Sequence, residues 1–469
     1  MINKLLTVGF CFLLIIISFC GCVEQNTQIL SKIIYVDEDG TANYTKIQDA
    51  INIANVGDTI YVYSGTYPEI LNIRKSIVLQ GEDTETTIIQ RPENISDTLI
   101  TIFSANEVQI KGFTINNLKF KPYVYESIEI YSDNDVISNN KFISADNADI
   151  LLNGALNTKI INNTFTSNGI LIRLSGVEHL EDWNTQTIEN NYINGKPIIY
   201  YKNNHHGDIV PSNSGQVIFA NCSNFTIENL HLENSYCGIQ LGFSSYNNIF
   251  NNTIENKNRI GYGPENQNTI GKGIYLFNSN FNNIIGNTVS GCHDGISFTE
   301  RSTKNMIKNN VLTENNNGIY HYGLSNNNSL INNTILNNEF AGIYLDSFSV
   351  GDIVSNNYIS NSRYGIILAL SCNNNTICRN NIRNNSNYGI SIESSVNNVI
   401  FLNNFINNSV NAEIRYQLNN SWDNGQKGNY WDDYLGKDKN GDGIGDTPYN
   451  ISAGKNQDRY PLMNPYLSD

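Results

Sequence analysis

One short phrase returns through residues 247–408 of this 469-residue chain: two Asn, an apolar residue, more Asn, then Gly-Ile followed by alternating apolar positions. The Gly-Ile pairs begin at Gly238, Gly273, Gly295, Gly318, Gly342, Gly365 and Gly389, so the steps are 35, 22, 23, 24, 23 and 24. A second marker, Asn252, Asn287, Asn310, Asn333, Asn357, Asn381 and Asn404, advances by 35, 23, 23, 24, 24 and 23. Two markers sharing one period constrain the chain to a stack of structural repeats, which grows in one dimension and escapes the usual scaling of length with domain count.

A period of about 23 residues leaves no room for a stable helix, which needs ~12 or more residues of helical spacing. Each period instead holds short β-branched pieces such as Asn-Thr-Ile and Gly-Ile-Tyr-Leu. The residues after Gly alternate (Ile274/Leu276, Ile296/Phe298, Ile343/Leu345, Ile366/Leu368, Ile390/Ile392), so one side of each strand faces a core. Three strands per coil, stacked in parallel at ~4.8 Å, fit this text. Asn suits the corners, because it tolerates left-handed backbone and its amide can bond the Asn of the next coil. The expected fold is all-β: a single right-handed parallel β-helix with a short N-terminal helix cap and an aromatic C-terminal cap. A leucine-rich repeat has an overlapping period, but its L-x-x-L-x-L-x-x-N text does not recur here.

Residues 1–22 are of different material. Lys4 precedes an apolar run from Leu5 to Phe19, and Cys20-Gly21-Cys22 follows. A basic start, a short apolar run and small residues at its end describe an export signal of lipoprotein type, with Cys22 the lipidated residue. Residues 23–32 read as a tether, and 33–99 as the N-terminal cap with the first coils. Residues 100–415 read as repeats, with insertions near 192–215 and 257–271 that carry Pro197, His205, His206, Pro211, Tyr262, Gly263 and Pro264. Insertions in a solenoid emerge as loops, often on the binding side. In the cap, Ile47, Ala50, Ile51 and Ala54 fall at helical spacing, after a strand at Ile33–Val36 and before strands at 59–63 and 76–80. Residues 416–469 form the C-terminal cap, whose aromatic segment holds Trp422, Tyr430, Trp431 and Tyr434.

The formal net charge of −15 argues against nucleic acid, whose binding needs Lys and Arg to displace counterions. Five of the eight Cys lie beyond the signal (Cys222, Cys237, Cys292, Cys372, Cys378), an odd number without Cys-x-x-Cys, so they read as buried small hydrophobes.

Several stretches carry a family resemblance. Asp58-Thr-Ile-Tyr-Val-Tyr-Ser-Gly-Thr-Tyr-Pro-Glu69 resembles the opening segment of pectate-lyase-like β-helices, where an amphipathic helix covers the first coil. The stretch from Gly195 through Ile227, the Asn-Asn/Gly-Ile array, and Gly428-Asn-Tyr-Trp-Asp-Asp-Tyr434 with Asp442–Tyr449 and Asp458–Met463 carry it further. Together they resemble the NosD-like, or carbohydrate-binding-and-sugar-hydrolase (CASH) type, β-helix proteins of archaeal cell surfaces. The NosD name implies a copper-linked accessory role for an exported reductase. The residues argue otherwise: soft copper sites want clustered Cys, Met or His, and beyond the signal only Met306 and Met463 remain. His205-His206 is the one close His pair and a candidate metal site.

Asp438, Asn440, Asp442 and Asp446 alternate as in the first half of a calcium loop, but Tyr449 stands where the closing Glu belongs. An Asx-rich turn is the alternative; a bound calcium ion would be structural. The inward/outward register places Gln240, Tyr275, Ser297, Tyr320, Tyr344, Ile367 and Ser391 in one outward column. Gly242, Phe277, Thr299, Tyr322, Asp346, Ala369 and Glu393 form the next. Tyr275, Phe277, Tyr320, Tyr322 and Tyr344 are then a platform for sugar rings, or simply residues that suit strands. His321 points inward. Asp346 and Glu393, two rungs apart, are the candidate carboxylates for a polysaccharide lyase or glycoside hydrolase, at the ~9.6 Å outer limit for inverting pairs. Asn-x-Ser/Thr sequons, among them Asn94, Asn224, Asn332 and Asn450, permit glycosylation. The leading expectation is a monomeric, surface-anchored module held to the membrane by lipid, which binds polysaccharide or a surface glycoprotein. A lyase or hydrolase and a copper accessory protein are the alternatives.

Overall fold

The computed structural model describes residues 31–467 apart from 94, 96, 118–124, 145–146, 174–175, 177–178, 257–270, 417–418 and 452–455, so Cys22 and the insertion holding Tyr262 to Pro264 lie outside the described residues. Its strands form sheets of 7, 5, 16, 8 and 9 strands and one two-stranded hairpin. Each coil contributes one strand to each of three sheets, and neighbouring coils pair in parallel. The Gly-Ile phrase fixes the register: Ile274, Ile296, Ile319, Ile343, Ile366 and Ile390 stack directly and are wholly buried. The fold is the expected right-handed parallel β-helix.

The glycines serve close approach. A Cβ added to Gly318 would sit 2.6 Å from the carbonyl oxygen of Gly342, and one on Gly365 would sit 2.4 Å from that of Gly389. Coils at this corner touch backbone to backbone.

The paired asparagines divide two tasks. Asn309, Asn332 and Asn356 take left-handed φ of 56° and turn the chain. Their successors, Asn310, Asn333 and Asn357, are buried and form a ladder. The Asn333 amide Oδ1 accepts from the backbone N and Nδ2 of Asn310, both at 3.0 Å. Its own N and Nδ2 donate to Asn357 Oδ1 at 2.9 and 3.0 Å, and Nδ2 also reaches the Ile307 carbonyl at 2.9 Å. The ladder passes through Asn380, Asn403 and Asn429, so the sequence markers Asn381 and Asn404 lie one residue beyond the true rungs. A parallel ladder runs Asn282, Asn305, Asn328, Asp352, Asn375 and Asn398. At its Asp352 rung, His321 takes an inward place in the core, 1% exposed, with Nδ1 3.1 Å from Asp352 Oδ2. The five cysteines are buried thiols outside any disulfide, as expected.

Among the described residues the stack contains one reversal. Tyr192–Ile193 and Lys196–Lys202 pair antiparallel across Asn194-Gly195, both with positive φ, the signature of a tight hairpin. Coils before it and after it share the 16-stranded sheet but run in opposite directions. A right-handed coil that reverses its strands while its stack keeps advancing must carry its axis to the other face of the sheet. Two cores result. In Gln216–Ala220, Val217 and Phe219 face the later core, whereas Ile218 and Ala220 join the earlier one. The strands Gln216–Ala220, Cys237–Gly242 and Lys272–Phe277 are accordingly buried along nearly their whole length.

Caps close both ends. The helix Ile47–Ile53 buries Ile47, Ala50 and Ile51 over the first coils, and Glu69 accepts the Ile47 and Gln48 N–H groups at 2.8 and 3.0 Å. A second helix, Leu180–Asn184, is short. At the far end Trp431 stacks between Phe405 and Tyr449, with centroids at 4.5 and 4.3 Å. Asp458 terminates the Asn ladder, accepting from Asn429 N at 2.6 Å, Trp431 Nε1 at 2.9 Å and Tyr460 N at 3.0 Å. Burial outweighs these bonds and pushes its carboxyl up to about 6.

Two outcomes follow from these ladders. Asn333→Ala leaves the buried Asn310 N–H without its acceptor and removes one donor each from Asn357 Oδ1 and the Ile307 carbonyl, so urea unfolding is expected to show a loss on the order of 3 kcal/mol. Asp458 is raised when folded, so folding is favoured by its protonation below pH ~4 and that contribution is lost as pH rises through about 6. Relative to Asp458→Asn, the parent is therefore expected to lose roughly 2–3 kcal/mol between pH ~4 and pH ~7 in unfolding titrations. Parallel pH profiles for the two proteins would contradict this.

Candidate functional site

The outward face of the shared sheet changes character along its length. Over its first later coils it lies beneath the earlier coils. Gln216 and Gln240 donate from Nε2 to the Ile170 carbonyl at 2.8 and 2.7 Å, and Gln240 Oε1 accepts from Ile172 N at 3.2 Å. Trp183, wholly buried, lies over Gly242, where an added Cβ would be 2.1 Å from its ring. It also stacks on Phe277 at 6.0 Å and sits 6.5 Å from Tyr275. This corrects the expected platform: Tyr275 and Phe277 are 3% and 4% exposed and belong to the earlier core, so no sugar can lie on them. Gln240 is likewise buried rather than outward to solvent.

Beyond Tyr275 the face emerges. Tyr322 is exposed, Tyr320 and Tyr344 are half-buried, and Tyr320 contacts Tyr322 at 6.3 Å and Tyr344 at 5.3 Å. The rings continue where the sequence reading did not look. Phe340 lies 6.0 Å from Tyr344 and 5.2 Å from Tyr364, which stacks on Tyr388 at 5.7 Å. Tyr364 and Tyr388 belong to a third outward column, the residues immediately before Gly. That column reads Lys272, Asp294, Asn317, Ala341, Tyr364 and Tyr388. Its signal was present in the repeat itself, as a position adjoining the invariant Gly.

The same column supplies the charges. Asp294 is 3% exposed; its Oδ1 is 3.0 Å from His293 Nδ1 and accepts from Asn317 Nδ2 at 2.9 Å, and its Oδ2 is 4.0 Å from Lys272 Nζ. Burial raises this carboxyl, but His293, Lys272 and Asn317 together hold it below the usual carboxylate range. Lys272 Nζ also reaches Ser297 Oγ at 3.1 Å and lies 4.3 Å above the Tyr275 ring. Asn317 is 4% exposed, and its Oδ1 has no hydrogen-bond donor.

Of the two candidate carboxylates, Asp346 is 7% exposed and accepts from Tyr320 OH at 3.3 Å and Ser347 Oγ at 3.1 Å. Burial and Asp346 push the Tyr344 phenol up to about 12 and the Tyr320 phenol further, so both remain protonated donors. Glu393 stands two rungs from Asp346 and pairs with Arg415 at 3.7 Å, so the two acids are held in separate networks. At the far edge Tyr388 OH donates to Glu413 at 2.9 Å.

The other candidates lie elsewhere. His205 Nδ1 is 3.1 Å from Ser223 Oγ, and His205 and His206 are both exposed. Among the described residues, the grouping of three His, Cys, Asp or Glu donors is His231, Glu233 and Glu255, which includes neither. Two of its donors are hard carboxylates, so it does not fit a soft copper site. Asp438, Asn440, Asp442 and Asp446 share one loop. Asp438 accepts from Gly441 and Gly443 N–H at 2.7 and 2.8 Å, Asp442 from Ile444 N at 2.8 Å, and Asp446 from Lys439 N at 3.0 Å.

Comparison with known proteins adds the family context. The family described as periplasmic copper-binding protein (NosD) matches residues 264–436, and a protein family of unknown function, DUF1565, matches residues 75–229. Two probable pectinesterase/pectinesterase inhibitors of Arabidopsis thaliana are 32% identical over 110 residues and 30% identical over 128 residues. These matches cover 21% and 24% of this chain, and the chain spans about a fifth of those relatives' length, 21% and 22%. Among solved structures, a periplasmic alginate epimerase is similar with a TM-score of 0.34 at 14% identity, covering 78% of this chain and 76% of the other. A pectin methylesterase from carrot gives 0.30 at 10% identity, covering 62% and 82%. Within 264–436, no three-donor His, Cys, Asp or Glu grouping occurs among the described residues. By its coils, its repeat text and these matches, the chain is a NosD-like parallel β-helix repeat protein.

Proposed function

We propose that this protein is an exported, surface-held module that binds a neutral glycan along the outward face of its shared sheet. The observation that carries the reading is the continuous run Tyr322, Tyr320, Tyr344, Phe340, Tyr364 and Tyr388, crossing four coils beside hydroxyls and carboxylates. Coils repeat at ~4.8 Å, close to the length of one sugar ring, so aromatic faces and polar groups recur at the interval a glycan needs. Aromatic side chains present large rigid apolar area, and Tyr adds a polar tip. Charge selects the class. Asp346 and the acid–base sets Asp294–Lys272 and Glu393/Glu413–Arg415 lie along the face, so sugar hydroxyls meet both donors and acceptors, while the chain's net charge of −15 disfavours a polyuronate. The pectinesterase and epimerase names of the similar proteins are compatible with a carbohydrate partner. Export and attachment through Cys22 rest on residues 1–22, and the Asp438–Asp446 loop is assigned a structural calcium ion.

Affinity electrophoresis in gels containing neutral glucans, galactomannan or polygalacturonate tests the reading. Retardation is expected in a neutral polymer, reduced about five- to tenfold in affinity by Tyr344→Ala or Tyr364→Ala, the loss of roughly 1 kcal/mol per ring. Equal retardation of parent and variants would move binding off this face. For the loop, chelation with EDTA is expected to lower the Tm and added calcium to restore it, with the response abolished in Asp438→Asn. A Tm indifferent to both treatments would leave the loop as an Asx turn.

A further inference from the structure

The end of the stack that follows residues 1–30 carries a cavity and a local excess of positive charge. The helix Ile47–Ile53 lies across this end, and two side chains draw the segment after it onto the first coil. Asp58, 1% exposed, accepts from Lys32 N at 3.0 Å and from Asn55 N at 2.8 Å. Lys75 Nζ donates to the Asn52 and Ala54 carbonyls at 2.7 and 2.8 Å, so its charge sits on the carbonyl end of the helix. Beside that contact a cavity of about 410 Å³ is lined by Gln48, Ile51, Asn52, Asn72, Arg74 and Lys75. Arg74 on its rim is exposed, and among the described residues its guanidinium makes no hydrogen bond or ion pair. Apolar side chains flank the opening. Ile53, the last helical residue, and Val56 in the turn after it are 44% and 59% exposed, and Gly57 N joins that turn to the Ser76 carbonyl at 2.8 Å.

Charge is sorted across the same end. Lys32, Arg74 and Lys75 gather at the C-terminal side of the helix. Asp49 and Glu69 lie at its N-terminal side, where Glu69 takes the Ile47 and Gln48 N–H groups. A protein of net charge −15 thus keeps a basic, partly apolar corner where its chain continues into residues 1–30. Ten residues separate Cys22 from Lys32, at most ~36 Å of extended chain. Attachment through the apolar run or through Cys22 therefore keeps this corner within reach of a bilayer surface. Interfacial binding draws on buried apolar area together with the attraction of Lys and Arg to anionic lipid, and this corner offers both. A cavity holding one unpaired guanidinium matches a phosphate group, whose oxygens Arg binds as a fork.

We infer that the N-terminal cap sits on the membrane, with Arg74 binding the phosphate of an anionic phospholipid headgroup and Ile53 and Val56 entering the interface. The inference rests on the membrane-attachment reading above and adds an orientation to it. Held by its cap, the solenoid stands away from the bilayer. Ala341–Leu345 is the thirteenth strand of the shared sheet, which begins at Gly65–Pro68, so twelve spacings of ~4.8 Å place Tyr344 roughly 60 Å above the cap. The ring-lined face is then presented clear of the surface that holds the protein.

The test places a reporter at each end of the full chain, reconstituted in vesicles of phosphatidylglycerol or phosphatidylcholine with brominated acyl chains. The native tryptophans Trp183, Trp422 and Trp431 are buried, so Val56→Trp and Leu435→Trp, the latter at a position 94% exposed in the C-terminal cap, supply accessible fluorophores. In phosphatidylglycerol, brominated lipid is expected to remove roughly half or more of the Val56→Trp signal and to leave Leu435→Trp unchanged. Phosphatidylcholine, or Arg74→Glu in phosphatidylglycerol, is expected to weaken that contact about fivefold, the effect of one basic residue at an anionic surface. Equal quenching at both ends, or at neither in protein that floats with the vesicles, overturns the orientation and leaves attachment standing. A Val56→Trp spectrum that shifts with protein concentration and not with lipid assigns the corner to a second copy and overturns it too. Protein that floats with neither vesicle overturns both readings. The two reporters decide the orientation without the charge variant, and both occupy exposed positions, so the outcome does not depend on Arg74→Glu folding.

Discussion

Everything in this molecule depends on one hydrogen bond made repeatedly: a buried Asn amide oxygen taking the backbone N–H and the side-chain amide of its counterpart on the adjacent coil. Parallel strands alone specify spacing but tolerate slips, since neighbouring coils carry much the same text. A side chain that must place both its oxygen and its nitrogen on fixed partners removes that freedom, because a slipped rung would strand several polar groups in the core. The cost of burying so many amides is offset only while the ladder is complete. Its ends are therefore the delicate places, and the last rung is a carboxylate that receives donors from Asn429, Tyr460 and the indole of Trp431. The same logic explains the tight corner at Gly428, where an added Cβ would lie 1.7 Å from Asp458 Oδ1.

The second constraint is the hairpin at Asn194-Gly195. Without it the chain would be one tube with a free outer surface on every side. With it, three strands of the shared sheet become the partition between two cores, and residues in nominally outward positions, Gln240, Tyr275 and Phe277, become interior. The exposed face is what remains after that partition ends. Its position and its closed end both come from topology, before any individual side chain is considered.

Much of this was legible in the sequence, and the gaps have identifiable causes. The Gly-Ile and Asn markers reported period, parallel stacking and core direction, because those residues answer to constraints internal to a coil. His321 was placed inward by the same register and is buried against Asp352. The Asn381 and Asn404 rungs were misplaced by one because runs of Asn hide which residue turns the chain and which one bonds; backbone φ separates them. The covering of Tyr275 and Phe277 was not legible. It depends on Trp183, some ninety residues earlier, and on a strand reversal whose only local sign was an Asn-Gly between two apolar runs. The column preceding Gly was overlooked for a different reason: period-two counting from Ile does not reach across the Gly, where the paired positions skip a residue.

Variation between columns then separates what the coil fixes from what it leaves open. Inward positions repeat Ile with little change, since each must fill the same space against the same neighbours. The outward column before Gly reads Lys, Asp, Asn, Ala, Tyr, Tyr over the same coils, a sequence of unlike residues on an otherwise uniform scaffold. Strand pairing cannot require such a series, because backbone bonds are indifferent to it. Packing accounts for part of it: Asp294, Asn317 and Ala341 are buried against their neighbours, whereas Lys272, Tyr364 and Tyr388 are half-buried. On the proposed glycan reading, Tyr364 and Tyr388 are the part of this series that a ligand would select. They lie on the coils farthest from the reversal, where the outward face of the sheet is no longer covered by the earlier core.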